Sequence, residues 1–114
     1  MIDGFDGKDE LRGDDGNDTI FGGLNPDLII GGKGFDFLYG EQGHDRIFGG
    51  LGNDQISGGG GIDRMFGDEG NDLLNGFGGD DQFTGGLGLD TFIGGAGIDT
   101  AFDQGENGET GIEN

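Results

Sequence analysis

Apolar side chains recur along this chain every nine residues. Cut into nines from Gly4, the chain gives eleven units that end at Phe102, and the eighth position of each unit is apolar. These positions are Leu11, Ile20, Ile29, Leu38, Ile47, Ile56, Met65, Leu74, Phe83, Phe92 and Ala101. A fixed period of this kind predicts a coiled repeat architecture, in which each unit buries its apolar side chain only by stacking on its neighbours.

The residues around each apolar position predict a short strand. In three extended residues the middle side chain points to one face of a sheet and its two neighbours point to the other. The first position of the unit is glycine in all eleven units, and the fourth is glycine in ten, with Asn25 as the exception. We expect these two glycines to supply the positive φ and the close backbone approach of tight turns. Turns and short strands should therefore alternate, with the eighth side chains inside.

The sixth position of every unit is an aspartate. The eleven residues are Asp9, Asp18, Asp27, Asp36, Asp45, Asp54, Asp63, Asp72, Asp81, Asp90 and Asp99. If the chain coils regularly, these carboxylates stand in columns, and columns of like charge need cations between them. The spacing therefore predicts a divalent-metal site that is repeated along the coil.

The pattern G-G-x-G-x-D-x-U-x, in which U is a large apolar residue, resembles the calcium-binding nonapeptide of the RTX (repeats-in-toxin) proteins. The resemblance covers residues 4–102 of the 114. It implies an all-β fold, a parallel β-roll or β-solenoid, with two nonapeptides in each coil and about 5.5 coils. It also implies that the first six residues of a unit turn and bind calcium, that the last three form a strand, and that the parent protein is bacterial and leaves the cell by type I secretion.

The expected coil spacing suits calcium. Neighbouring parallel strands lie about 4.8 Å apart, and calcium–oxygen distances are about 2.3–2.6 Å, so an ion midway between two coils meets oxygens of both. Magnesium prefers about 2.0–2.1 Å and an octahedral shell with retained waters. The chain has no cysteine and a single histidine, His44, so a zinc or soft-metal site is not expected.

Two units per coil would divide the aspartates into two columns. One column holds Asp9, Asp27, Asp45, Asp63, Asp81 and Asp99, and the other holds Asp18, Asp36, Asp54, Asp72 and Asp90. Six aspartates enclose five gaps and five enclose four, so we expect nine calcium ions. The resemblance implies that glycine carbonyls of the turns complete each shell of six or more oxygens. The candidate glycines are Gly13, Gly16, Gly22, Gly31, Gly34, Gly40, Gly43, Gly49, Gly52, Gly58, Gly61, Gly67, Gly70, Gly76, Gly79, Gly85, Gly88, Gly94 and Gly97.

The net charge predicts that the chain folds only with metal. It has 24 acidic and 5 basic residues, a formal net charge of −19, which nine Ca²⁺ ions would reduce to −1. Without metal, carboxylates about 5 Å apart repel by roughly 3 kcal/mol per pair at an effective dielectric constant near 20. A chain of low hydrophobicity and high net charge should then be disordered. The same charge opposes nucleic-acid binding, and no apolar run has the length of a membrane span.

Departures from the pattern mark particular turns. Asn25 replaces a fourth glycine and precedes Pro26, which restricts its backbone, so we expect distortion in the sites that use Asp27. Three acidic residues replace the second glycine of their units, and they either reach calcium or are solvated turn side chains; they are Asp14, Glu41 and Asp68. His44 lies at the variable fifth position and is interpreted as a solvated loop residue. An enzyme is not expected, because the aspartates serve as ligands and no nucleophile stands near His44.

The outward positions of the odd-numbered units bring arginines and aromatic residues onto one face. Its central members are Ile30, Arg46, Phe48, Arg64 and Phe66. Arginine with aromatic side chains is typical of an interface, and an exposed apolar stripe often marks one. Alternatively, short strands simply favour aromatic residues. Both interpretations stay open at this point.

The sequence thus predicts three segments and one main function. Residues 1–3 are the remnant of a preceding repeat, since Ile2 occupies its apolar position; residues 4–102 are eleven repeats; and residues 103–114 form a cap, with Ile112 over the last coil, or a tail. The main prediction is a calcium-binding structural module that assists secretion and belongs with other domains of a larger secreted protein. The alternative is a binding module whose arginine–aromatic face holds an acidic polysaccharide, a protein partner or a second copy.

Overall fold

The computed structural model describes residues 1–102 and the backbone of a strand at 112–113. In this part of the chain every regular element is a β-strand. The strands are β1 (Ile2–Asp3), β2 (Glu10–Arg12), β3 (Thr19–Phe21), β4 (Leu28–Lys33), β5 (Phe37–Tyr39), β6 (Arg46–Leu51), β7 (Gln55–Gly59), β8 (Arg64–Glu69), β9 (Leu73–Phe77), β10 (Gln82–Thr84), β11 (Thr91–Ile93), β12 (Thr100–Phe102) and β13 (Ile112–Glu113).

Successive strands alternate between two parallel sheets. One sheet has the order β1-β3-β5-β7-β9-β11-β13, and the other has the order β12-β10-β8-β6-β4-β2. Strand partners from β1 to β12 are offset by 18 residues, as in the pairs Ile20 with Leu38 and Ile47 with Met65. Two nonapeptides therefore make one coil, and the chain is a β-solenoid of about six coils, which confirms the predicted fold.

The core is a single layer of eighth-position side chains between the two sheets. Nine of these side chains are buried, at 0–2% exposure. They are Ile20, Ile29, Leu38, Ile47, Ile56, Met65, Leu74, Phe83 and Phe92. Leu11 and Ala101 at the two ends are partly buried against this layer, as is Ile2. The predicted inward position of the eighth residue is thus confirmed. Ile2 lies in β1, which pairs in parallel with β3.

The turns place positive φ at the second and fourth positions of each unit. Gly34 and Gly43, at fourth positions, have φ of 120° and 123°. Five second positions adopt positive φ without glycine; they are Phe5, Asp14, Glu41, Asp68 and Phe77. The glycines of the first position do not have positive φ. The expectation of positive φ was therefore right for the fourth position and wrong for the first, and it missed the second.

The turn with Asn25 and Pro26 keeps the geometry of the others. Asn25 has φ of 76°, in the region that fourth-position glycines adopt. The carboxylate of Asp27 accepts the N–H of Asp9 at 2.8 Å, and the N–H of Asp27 donates to Asp45 at 2.8 Å. The distortion expected at Asp27 is not found in these bonds, because asparagine tolerates the left-handed conformation.

The backbone of β13 continues one sheet beyond the repeats. Ile112 pairs with Phe92 and Glu113 with Ile93, in parallel. The predicted packing of the Ile112 side chain, and the choice between cap and tail for residues 103–111, lie outside the described residues.

Candidate metal centre

The aspartates of each column are linked by hydrogen bonds between successive coils. From Asp27 to Asp99, the Oδ1 atom of each aspartate accepts the backbone N–H of the aspartate one coil earlier, as when Asp81 Oδ1 accepts from Asp63 N at 2.8 Å. Nine such bonds of 2.8–2.9 Å are present, one for each gap between coils. One oxygen of each of these nine carboxylates is thus bound by the protein itself, which the sequence did not reveal.

The other carboxylate oxygen is buried and has no protein partner at ten aspartates. These Oδ2 atoms belong to Asp9, Asp18, Asp27, Asp36, Asp45, Asp54, Asp63, Asp72, Asp81 and Asp99. A buried anionic oxygen without a hydrogen bond or a counter-charge is among the most unfavourable groups in a protein. Ten of them in register fit a function in which each Oδ2 meets a cation.

The first glycine of each unit leaves room for these oxygens. A Cβ on Gly13 would lie 2.6 Å from Asp18 Oδ2 and 2.6 Å from the carbonyl oxygen of Gly31 in the next coil. A Cβ on Gly49 would lie 2.6 Å from Asp54 Oδ2 and 2.8 Å from an equivalent carbonyl oxygen. A carboxylate oxygen and a carbonyl oxygen therefore converge on the space that a side chain would fill. Glycine is required at this position by packing, since its φ is not positive.

The carbonyl oxygens of the fourth position are also available. None of them accepts a hydrogen bond among the turn bonds of residues 1–102. Fourth-position residues of successive coils are stacked closely. A Cβ on Gly43 would lie 2.5 Å from the carbonyl oxygen of Asn25, the fourth-position residue one coil earlier. The fourth-position glycines thus lie in the turns, whereas first-position glycines stand beside the aspartates and several are within strands, as Gly31 is in β4 and Gly49 in β6.

Side chains alone do not form a metal cluster in the described residues. No group of three or more histidine, cysteine, aspartate or glutamate side chains is gathered there in a way that could hold an ion. Each gap offers two carboxylates, so further ligands have to be backbone oxygens. An all-oxygen donor set of carboxylates and carbonyls suits calcium and does not suit zinc.

Burial raises the pKa of the central aspartates towards neutrality. The pKa of Asp45 and of Asp54 is raised to about 7, that of Asp63 to about 6 and that of Asp72 to about 8. The main cause is desolvation of the charged form; the N–H donated from the preceding coil opposes it. At Asp45, Asp54 and Asp72, carboxylates of the same column add repulsion that raises the pKa further. Without a cation, these carboxylates of the folded chain therefore bind protons in part at neutral pH.

The three acidic residues at second positions lie at the surface. Asp14, Glu41 and Asp68 are exposed, and Asp68 Oδ2 accepts the N–H of Gly50 at 3.2 Å. This placement favours the interpretation of solvated turn side chains over that of direct ligands.

The fifth position carries a set of hydrogen-bond acceptors that the sequence interpretation missed. His44 is exposed, yet its Nδ1 accepts the backbone N–H of Ile62 one coil later at 2.8 Å. Asn17, Asn53, Asn71 and Asp80 make the same bond. The available signal was asparagine at three fifth positions. His44 is therefore part of the turn structure as well as solvated.

The arginine–aromatic face forms on the sheet that contains β6 and β8. The rings of Phe48 and Phe66 are stacked, with centroids 4.5 Å apart and planes at 5°. The Arg46 guanidinium carbon lies 5.8 Å from the centre of the Phe48 ring. Arg64 is the register partner of Arg46, and Ile30 that of Phe48. The five residues predicted for this face are thus brought together.

A family model described as the RTX calcium-binding nonapeptide repeat matches this chain in five overlapping or adjoining segments that together run from residue 3 to residue 105. The chain belongs to this family. RTX nonapeptide repeats bind calcium, and their β-roll is a structural calcium-binding fold that is not typically catalytic. Such repeats are typical of secreted bacterial proteins.

Searches of curated proteins and of solved structures gave no match. Among the residues that the structure describes, no helix has the length and apolarity needed to cross a membrane.

The role of the first glycine can be tested by adding a single methyl group. In calcium-saturated protein we expect Gly49→Ala to lower the free energy of unfolding by about 1–3 kcal/mol, because its Cβ overlaps a buried carboxylate and a carbonyl oxygen. Gly78→Ala is the matched control, since a Cβ there meets nothing within 4 Å and its φ is not positive. Denaturant titration measures both. Equal stability of the two variants would contradict the packing argument.

The raised aspartate pKa values predict opposite effects of pH on the metal-free and the calcium-bound chain. Because the pKa of Asp45 is about 7 in the fold against 3.8 ordinarily, the fold binds more protons than the unfolded chain across this window, and its metal-free stability falls as pH rises. We expect the chelated chain to gain β signal in circular dichroism between pH 8 and pH 5. Calcium competes with these protons, so its titration midpoint should rise over the same acidification. A midpoint that is independent of pH would show that these carboxylates do not bind the ion.

Proposed function

We propose that this chain is a module that calcium folds: disordered without the ion, and a rigid β-roll in extracellular calcium. One observation supports this most directly, namely the ten buried Oδ2 atoms that have no protein partner. The eleven aspartates of the sixth position would hold the ions, together with glycine carbonyls of the first and fourth positions. Nine gaps between coils correspond to about nine ions for each chain.

Calcium supplies the positive charge that the fold lacks. The two sheets meet through one layer of nine fully buried side chains, a thin core for a chain with a net charge of −19. The protein itself orients the aspartate carboxylate in each gap, since Oδ1 accepts an N–H of the preceding coil and Oδ2 is buried. Binding free energy is then folding free energy, because the site does not exist in the unfolded chain.

The biological role follows from this switch. A chain that stays unfolded where calcium is scarce is suited to passage through a type I secretion channel, and it would fold on arrival outside the cell. We propose that the module is a non-catalytic part of a larger secreted protein, where it assists secretion and forms a rigid structural unit beside other domains.

Removing one interior aspartate tests both folding and stoichiometry. Circular dichroism of the wild type should show a strong β signal in calcium and a largely disordered chain in chelator, and calorimetry should count about nine ions. Asp63 borders two gaps of its column, so we expect Asp63→Asn to remove up to two ions and to raise the calcium midpoint several-fold. Asp15→Asn, which removes the same charge from an exposed turn residue, is the control and should leave the count unchanged.

Two results would contradict the proposal. The first is a β signal in chelator at neutral pH as strong as that in calcium. The second is an equal loss of calcium in the Asp63 and Asp15 variants, which would indicate diffuse attraction of cations by net charge rather than sites between coils.

A second function as a binding module is supported by the arginine–aromatic face. In the described residues the only ion pair joins Arg12 to Glu10, at 2.8 Å, although the chain has 24 acidic residues. Arg46 and Arg64 thus have no carboxylate partner there. The groove of about 440 Å³ beside Arg46 is lined by carboxylates as well as by basic side chains, so the positive charge of this face rests on Arg46 and Arg64. We propose that this basic and aromatic surface binds an acidic polysaccharide, with self-association or a protein partner as the competing outcomes.

The binding face can be tested without disturbing the metal sites. Arg46→Ala/Arg64→Ala should weaken binding of a soluble uronic-acid polysaccharide to the calcium-loaded protein about tenfold, because two exposed cations are lost. Lys33→Ala, which removes a basic residue at the end of β4, three residues beyond Ile30, should have little effect. Calorimetry measures the affinity, and sedimentation reports a change of oligomeric state. Unchanged affinity and unchanged sedimentation of the double variant would end the binding-module proposal.

A further inference from the structure

Side chains at the fifth position hold the backbone of the following coil. In five cases a side-chain acceptor of one coil takes the backbone N–H of the fifth residue one coil later, 18 residues on, at 2.8 Å each. The pairs are Asn17 with Phe35, His44 with Ile62, Asn53 with Asn71, Asn71 with Leu89, and Asp80 with Ile98. All five bonds lie at the exposed surface of the turns.

Each of these bonds also fixes a carbonyl group. The N–H of the fifth residue belongs to the same peptide plane as the C=O of the fourth residue, and in a trans peptide the two groups point in opposite directions. Because Asn53 lies one coil earlier, its bond directs the Asn71 N–H towards the preceding coil. The carbonyl oxygen of Gly70 is then directed towards the following coil, where a Cβ on Gly88 would overlap it. That oxygen accepts no turn hydrogen bond within residues 1–102, and it belongs to the set proposed to bind calcium.

We propose that the fifth-position side chains are positioning residues, which aim a fourth-position carbonyl oxygen of the next coil at its calcium ion. The proposal rests on the calcium-binding function proposed above and deepens it. It assigns five aimed carbonyls, at Gly34, Gly61, Gly70, Gly88 and Gly97. The metal sites of the chain should therefore fall into two classes that the aspartates alone do not distinguish.

The second class consists of turns whose preceding coil offers no acceptor. Phe35 lies one coil before Asn53, and Ile62 lies one coil before Asp80. In the described chain no fifth-position side chain accepts the backbone N–H of Asn53 or of Asp80. Pro26 likewise offers no acceptor to His44. Pro26 itself has no N–H to be held, and the residue one coil before it, Lys8, has no acceptor atom. The exceptional turn is thus consistent with the same rule.

Both loss and gain of an acceptor can be engineered on exposed side chains. Asn53→Leu removes the acceptor for Gly70–Asn71, and Asn53→Asp keeps one, since Asp80 shows that a carboxylate makes this bond. Phe35→Asn adds an acceptor for Gly52–Asn53 at a side chain that is 57% exposed. Leu89→Ala is the control, because Leu89 is also exposed at a fifth position and its side chain has no acceptor.

The expected changes in calcium midpoint follow from the free energy that one hydrogen bond contributes. Asn53→Leu should raise the calcium midpoint about 2- to 10-fold and Phe35→Asn should lower it by a similar factor, while Asn53→Asp and Leu89→Ala stay near the wild type. The carbonyl carbon resonance of Gly70 in ¹³C NMR should shift on calcium loading of the wild type and of Asn53→Asp, and shift less in Asn53→Leu. A side chain that only stabilised the turn would change stability without changing this calcium-induced shift.

The outcomes separate this inference from the function on which it rests. If the wild type needs no calcium to fold, the proposed function fails. If the wild type depends on calcium but Asn53→Leu retains the full Gly70 shift and midpoint, only the positioning role is overturned. Should Asn53→Leu fail to fold at any calcium concentration, Phe35→Asn decides: a lowered midpoint supports the role, and an unchanged one overturns it.

Discussion

The whole structure depends on carboxylates that are buried in register between coils. Nine of the sixth-position aspartates, from Asp27 to Asp99, accept a backbone N–H of the preceding coil with one oxygen. This bond sets the position of the carboxylate, and at ten of the eleven aspartates the second oxygen is buried without a hydrogen-bond partner in the protein. Under the proposed function, cations complete a fold built in this way, and metal binding is coupled to the stacking of every coil.

Most positions of the nonapeptide are constrained by one identifiable physical requirement. The first must be glycine because a carboxylate and a carbonyl oxygen occupy the space of a side chain. The second and fourth turn the chain through positive φ, and Asn25 and Glu41 show that glycine is favoured there without being obligatory. The fifth binds the next coil wherever its side chain makes the acceptor bond, the sixth carries the charge, and the eighth fills the core. The seventh and ninth face outward and are free to vary, so any partner-specific function belongs to them.

The sequence predicted the coil and the core from its period, and the resemblance to RTX repeats implied the two units per coil that divide the aspartates into columns. Ile47 and Asp63 occupy the same places as their equivalents nine and 18 residues away, so one repeat describes all. It could not show that Asp81 Oδ1 is already bound to Asp63 N, since that bond joins residues of different coils. For the same reason the sequence indicated an isolated loop residue at His44. In the structure its Nδ1 accepts the N–H of Ile62, 18 residues later and one coil away.

The amino-acid sequence by itself determined the class of fold, the chemistry of the ligands and the choice of calcium, because a strict repeat of aspartate, glycine and one apolar residue leaves few ways to pack and to neutralise charge. Only the tertiary structure decided which carboxylate oxygens are bound by a backbone N–H and which are left for a cation, why the first glycine is needed, and which fifth-position N–H groups are held by the preceding coil. Those features depend on the directions of N–H, carbonyl and carboxylate groups between neighbouring coils. The assembled backbone sets these directions, and residue spacing alone does not give them.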